Sequence, residues 1–163
     1  MLYYTGVGSR KTPKEILFIM KSFAIKAAEK GFILRSGGAV GADNAFERGC
    51  YSVKGIRNIY YADHCTPKAM IIASKFHPTW NKCSVYAKML HGRNALQVLG
   101  DDLIIPSKFL ICWTPDGCMS HNERTIKTGG TGTAISIAEY YNVPIYNLKN
   151  ESCMKIIDSL LIV

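Results

Sequence analysis

No apolar run in this chain approaches the ~18 consecutive residues that a membrane-spanning helix requires, so no membrane partner is expected. The opening Met1-Leu2-Tyr3-Tyr4 lacks the basic-then-apolar layout of a secretory leader, and a cytoplasmic location is expected. C-x-x-C pairs are absent. The cysteines stand at 50, 65, 83, 112, 118 and 153, expected to be reduced and mostly core. His64-Cys65, His77 and Cys83 lie near one another, but their spacing matches no standard zinc pattern. No metal and no cofactor are therefore expected, and nothing orients a Cys–His pair for nucleophilic work. Low-complexity tracts, internal repeats and dividing linkers are also missing. The 163 residues read as one domain, 1–163, long enough to bury a sizeable core. The net charge is +8, yet no basic block resembles a nucleic-acid tail. Scattered cations such as Arg10-Lys11-Lys14, Lys82-Lys88-Arg93 and Arg124-Lys127 favour an anionic partner without specifying one.

What is present is alternation. Residues 2–7, 32–35, 57–62, 109–113 and 143–148 read as strands from their β-branched, aromatic and apolar content. Between them, apolar residues at spacings of three and four mark helices, as in Ile16, Ile19, Met20, Phe23, Ala24 and Ala27. Thr12 is expected to cap that first helix, with Pro13 at its first position and Glu15 completing a capping box. Gly31 is expected to end it. Helices are also read from the central turn to about Gly49 and over 67–75, 85–99, 134–141 and 152–161, with Gly92 inside the 85–99 helix as a kink or close approach. Residues 118–128 read as a polar, mobile loop. Pro144 places the last strand at a sheet edge or marks its start. Strand–helix–strand order with short connections means parallel pairing. The fold class is thus α/β: a Rossmann-like three-layer domain with a mostly parallel sheet.

The centre of the chain is Ser36-Gly37-Gly38-Ala39-Val40-Gly41-Ala42-Asp43, a glycine turn between a strand and a helix. Such a turn presents backbone N–H groups and a helix dipole to an anion. Similar turns occur at Gly8-Ser9-Arg10 and at Thr128-Gly129-Gly130-Thr131-Gly132-Thr133. In a parallel sheet they should converge at the strand carboxyl ends. Gly6-x-Gly8 lacks the third glycine of a dinucleotide fingerprint, which makes NAD a poor candidate.

Gly8-Ser9-Arg10, Ser36-Gly37-Gly38 with Asp43, Gly92-Arg93-Asn94 and Gly129-Gly130-Thr131-Gly132-Thr133 occur in that order over nearly the whole chain. The series resembles the Rossmann-like domain of the DNA-processing protein A (DprA) family, within the SLOG superfamily that includes the Lonely Guy phosphoribohydrolases. The chain is similar to the stand-alone short versions found in phage and mobile elements. The resemblance implies a ligand site formed by Gly8, Ser9, Arg10, Ser36, Gly37, Gly38, Asp43, Arg93, Asn94, Gly129, Gly130, Thr131, Gly132 and Thr133. It implies a nucleotide, a nucleotide-derived ligand or single-stranded DNA as partner, a role in recombination in the DprA case, and a homo-oligomer. Arg10 and Arg93 are suited to phosphate by their bidentate donors.

One departure weakens the enzymatic alternative. Lonely Guy enzymes carry glutamates just after the last glycine turn, whereas this chain has Ala134-Ile135-Ser136-Ile137 and no acid until Glu139. Glycosidic cleavage needs a carboxylate. Asp43, Glu47 and Glu123 are the substitutes at hand, none at matched spacing. A binding protein without a catalytic residue is the leading expectation. An N-glycosidic hydrolase of nucleoside monophosphates is the alternative.

Overall fold

A strand that is apolar on both sides must be covered by helices above and below. A computed structural model, which describes residues 1–162, shows that arrangement. Among the described residues the strands are β1 (Leu2–Gly6), β2 (Phe32–Ser36), β3 (Arg57–Ile59), β4 (Leu110–Cys112) and β5 (Ile145–Asn147). The α-helices are α1 (Lys14–Glu29), α2 (Ala42–Ser52), α3 (Pro67–Ser74), α4 (Val85–Leu99), α5 (Thr131–Tyr140) and α6 (Glu151–Ile156). The sheet order is β3-β2-β1-β4-β5, and every neighbouring pair is parallel. This is the Rossmann-like α/β fold. The chain winds outward from β1 to β3, then crosses back to β4, so the strand order reverses between β1 and β4.

The alternation of side chains along β4 divides the core in two. Phe109 and Ile111 join Tyr4, Phe23, Phe32, Phe46 and the apolar stripe of α1 on one face. Leu110 and Cys112 join Leu96, Leu99, Ile135 and Ile137 from α4 and α5 on the other. Leu110, Ile111 and Cys112 are all completely buried, as a doubly covered strand requires. Gly31, at φ +80°, takes the left-handed conformation that terminates α1. Gly92 marks a close approach: a Cβ there would collide with Cys65 Sγ, just ahead of α3. β5 is an edge strand, and Pro144 immediately precedes it.

Two local expectations are corrected. Thr12 does not cap α1; its hydroxyl donates to the Ser9 carbonyl at 2.6 Å, inside the β1 turn, and no side-chain cap forms. Residues 118–128 are tied down rather than free. Asn147 Nδ2 donates to the Cys118 carbonyl at 2.9 Å, and Asp116 accepts from the hydroxyls of Thr125 and Thr128. A short 3-10 turn, Ile126–Thr128, then leads into the last glycine turn.

Candidate functional site

A cavity of about 810 Å³ lies where the carboxyl ends of β1 and β4 diverge, the position at which open α/β sheets take ligands. Its wall includes Val7 to Lys11 after β1, Ala39 and Asp43 at the start of α2, and Pro115 after β4. Ala87, Leu90, His91, Arg93, Asn94 and Gln97 from α4 close one side, and residues 126–131 with Ala134 close the other. Gly8, Ser9, Arg10, Asp43, Arg93, Asn94, Gly129, Gly130 and Thr131 are thus brought together around this cavity.

The first turn is held close to α2. Gly8 sits at φ +156°, and a Cβ there would lie 2.7 Å from the Ala42 Cβ. The Ser9 N–H donates to the Trp113 carbonyl at 3.0 Å, linking this turn to the end of β4. Ser9 Oγ accepts from the Lys11 N–H at 3.0 Å, leaving the Arg10 and Lys11 side chains exposed.

The central turn is arranged differently from a phosphate cradle. The Gly37 N–H donates to Asp43 Oδ2 at 3.0 Å, and the Gly38 N–H donates to Glu47 Oε1 at 2.8 Å. Ser36 is completely buried, its hydroxyl donating to the Gly6 carbonyl at 2.7 Å. Ser36, Gly37 and Gly38 do not line the cavity. The reason is positional. Ser36 ends β2 and the two glycines follow it, one strand away from the reversal, and the carboxylates of α2 reach back to occupy the Gly37 and Gly38 N–H groups.

At the third turn, Asn94 Nδ2 donates to the Gly130 carbonyl at 3.1 Å, fixing α4 against the start of α5. Gly129, Gly130 and Thr131 border the cavity, while the Gly132 and Thr133 N–H groups behind them donate to the Gly129 and Gly130 carbonyls at 3.1 and 3.3 Å. Gly132 and Thr133 face away from it. Gly132 packs on Arg124, and the buried Thr133 hydroxyl sits 2.9 Å from His91 Nδ1.

The electrostatics are one-sided. Arg10, Lys11, Arg93 and Lys127 line the cavity, and among the described residues Asp43 is its single lining acid. Burial pushes the Asp43 carboxyl up to about 7; Arg93 opposes the shift, and Glu47 adds to it. Glu47 is raised by burial, against the hydrogen bond it accepts from the Gly38 N–H. Burial, and then the charges of His77, Arg124 and Arg93, push His91 down to about 4. Gln97 is 1% exposed, and its Oε1 has no partner; Arg93 Nε is likewise buried and unpaired.

Several residues of the site carried no readable signal. Gln97 and His91 sit on a helix whose periodicity says only which face is inward. Lys11 and Lys127 stood among the scattered cations. Of the alternative acids, Glu123 accepts from the Met119 N–H at 2.8 Å and Glu139 from the His121 N–H at 2.7 Å, and neither lines the cavity. Beside the cavity, His77, Cys83 and His91 each bring one metal-ligating atom within 4.8 Å of the others. The His64 and Cys65 of the sequence cluster lie apart: His64 Nδ1 accepts from the Tyr61 N–H at 3.2 Å, and Cys65 packs at Gly92.

No family model, no curated protein and no solved structure matches this chain.

Proposed function

We propose that the protein binds a nucleotide or a nucleotide-derived ligand, as a DprA-like member of the SLOG superfamily. The observation that carries this reading is the cavity at the β1/β4 reversal, lined by four cations and by the start of α5. Anionic phosphate is the chemistry those groups complement. Gln97 borders the cavity, and its buried, unpaired Oε1 becomes an acceptor for an N–H or O–H of the ligand once the side-chain amide turns outward. The volume suits one nucleotide-sized molecule.

Single-stranded DNA, the other partner implied by the resemblance, is less well supported. Single-strand grooves use aromatic platforms beside the cations. Among the described residues, no Phe, Tyr or Trp lines this cavity. Tyr60 is buried, Tyr61 covers Gly38, and Trp80 packs on His77.

The test is titration of mononucleotides and a labelled oligonucleotide over a salt series. Mononucleotide affinity should fall gently with salt, and Arg10→Ala should weaken it by about ten-fold, the value of one charge-assisted contact. An oligonucleotide that binds more tightly, with a log–log slope of about −0.7 per neutralised phosphate, would favour the single-strand reading. If Arg10→Ala leaves every affinity unchanged, the cavity is not a phosphate site.

One observation favours N-glycosidic hydrolysis as a second reading. Asp43 is a buried carboxyl in the cavity wall, poised at about 7, the range of a general acid or base at neutral pH. Release of free base from a nucleoside monophosphate, lost in Asp43→Asn, would establish it.

A further inference from the structure

We propose that His77, Cys83 and His91 bind a single zinc ion beside the cavity. Cys83 Sγ lies 3.7 Å from both ring nitrogens of His77, and the rings of His77 and His91 are 4.2 Å apart at 65°. A tetrahedral zinc with Zn–N near 2.0–2.1 Å and Zn–S near 2.3 Å separates its ligand atoms by roughly 3.3–3.6 Å. The Cys83–His77 spacing, at 3.7 Å, is just outside that range. The widest separation, within 4.8 Å, closes with a shift of about 1 Å in a half-exposed loop.

His91 is oriented for the role. Its Nδ1 pairs with the buried Thr133 hydroxyl at 2.9 Å, an outer partner that orients the ring and leaves Nε2 for a metal. Zinc at His77 Nδ1 replaces the hydrogen bond from the Thr79 N–H, now 3.2 Å long. Thiolate with two imidazoles is a donor set that suits zinc over magnesium or calcium. The Cys83 thiol proton passes to solvent as the ion binds.

The surrounding chain supplies the need for such a tie. No residue from 74 to 91 is fully buried, and beyond Phe76, which packs on Tyr140 and the α4–α5 core, the loop before α4 is held only at its surface. An ion bridging His77 and Cys83 to His91 would fasten that loop to the helix carrying Arg93 and Asn94. Three protein ligands leave a fourth position for water or for an anionic oxygen. The site stands whether or not the cavity takes a nucleotide.

The experiment uses the full chain, stripped with a chelator and reloaded with Co(II), then with Zn(II) in competition. One Co(II) per chain is expected, with a thiolate-to-cobalt charge-transfer band and the strong visible bands of tetrahedral Co(II), both erased by zinc. Cys83→Ser should lose the charge-transfer band and weaken zinc by more than ~100-fold, beyond the 10–100-fold typical of outer-shell partners. Cys65→Ser, outside the cluster, should keep the band. His77→Gln is the second ligand variant, with circular dichroism confirming its fold, and it should lose the tetrahedral spectrum. Absence of the band in the wild type, or its survival in Cys83→Ser or His77→Gln, would overturn the proposal.

Discussion

Arg93 Nη1 donates a hydrogen bond to the carbonyl of Gly37, 56 residues away, and so ties α4 to the central glycine turn. The same guanidinium is the largest influence holding down the otherwise raised Asp43 carboxyl. Arg93 is therefore part of the frame of the cavity as well as part of its wall. Arg93→Ala should lower unfolding free energy in urea by about 1.5–3 kcal/mol, the worth of a hydrogen bond from a charged donor. It should also move the Asp43 titration further up. An unchanged urea midpoint would show that the tie contributes nothing. Arg10, exposed and free of such duties, is the cleaner probe of ligand binding.

Glycine is required at Gly37 of the central turn and merely present at Gly130 of the last. A Cβ at Gly37 would collide with Gln97 Nε2 and lie 2.8 Å from Asp43 Oδ2. At Gly130 the nearest atom is His91 Cε1, at 4.0 Å. Gly37→Ala should cost about 1–3 kcal/mol as an overpacking change, whereas Gly130→Ala should leave the melting temperature near that of the wild type. If phosphate approaches the start of α5, Gly130→Ala should weaken binding without loss of stability. Equal melting temperatures for the two variants would contradict this assignment.

Asp43 should make the protein less stable as pH rises. Its folded carboxyl keeps a proton up to about pH 7, against a value of 3.8 in an ordinary environment. The folded state holds the extra proton between those limits. The stability this provides is complete below about 3.8 and is lost as pH climbs through about 7. His91 acts in the opposite sense: lowered from 6.5 to about 4, it adds stability as pH rises across that interval. The two partly cancel in the wild type, so the informative measurement is the difference from Asp43→Asn. That variant should lack the falling component and gain stability relative to the wild type as pH increases. A difference that does not change with pH would refute the raised carboxyl.

Gln97 separates ligand binding from folding. Its side chain is buried with Oε1 unpaired, so the unliganded protein carries the desolvation cost of a lone acceptor. Gln97→Leu removes that acceptor and should change stability by less than about 1 kcal/mol, in the direction of a gain. A ligand that donates to Oε1 should bind the variant about ten-fold more weakly, which isothermal titration would read. Marked destabilisation would mean that Gln97 serves the core rather than the cavity.

The sheet and its helices were legible because their signals are local. The three-and-four spacing of Ile16, Met20, Phe23 and Ala27 can satisfy only a helix with one buried face, and α1 buries those residues. Short strand–helix–strand connections leave parallel pairing as the economical geometry, and the sheet is parallel throughout. Gly31 ends α1 because glycine takes the left-handed angle without strain.

Contacts between distant residues decided the rest. Thr12 had the pattern of a cap, yet the Ser9 carbonyl competes for its hydroxyl within the folded turn. The glycines at 37 and 38 have the composition of a phosphate cradle, but Asp43 and Glu47, carried back over them by α2, occupy their N–H groups. Cys83 and His77 matched no metal spacing because the third member of the cluster, His91, belongs to α4 and meets His77 only when α3 and α4 pack together. Periodicity and turn chemistry act over a single helical turn, so the chain alone sets its elements and their order. Which donors stay open toward a ligand depends on strand order and helix packing, because a hydrogen-bond group takes whichever partner the folded geometry brings within about 3 Å.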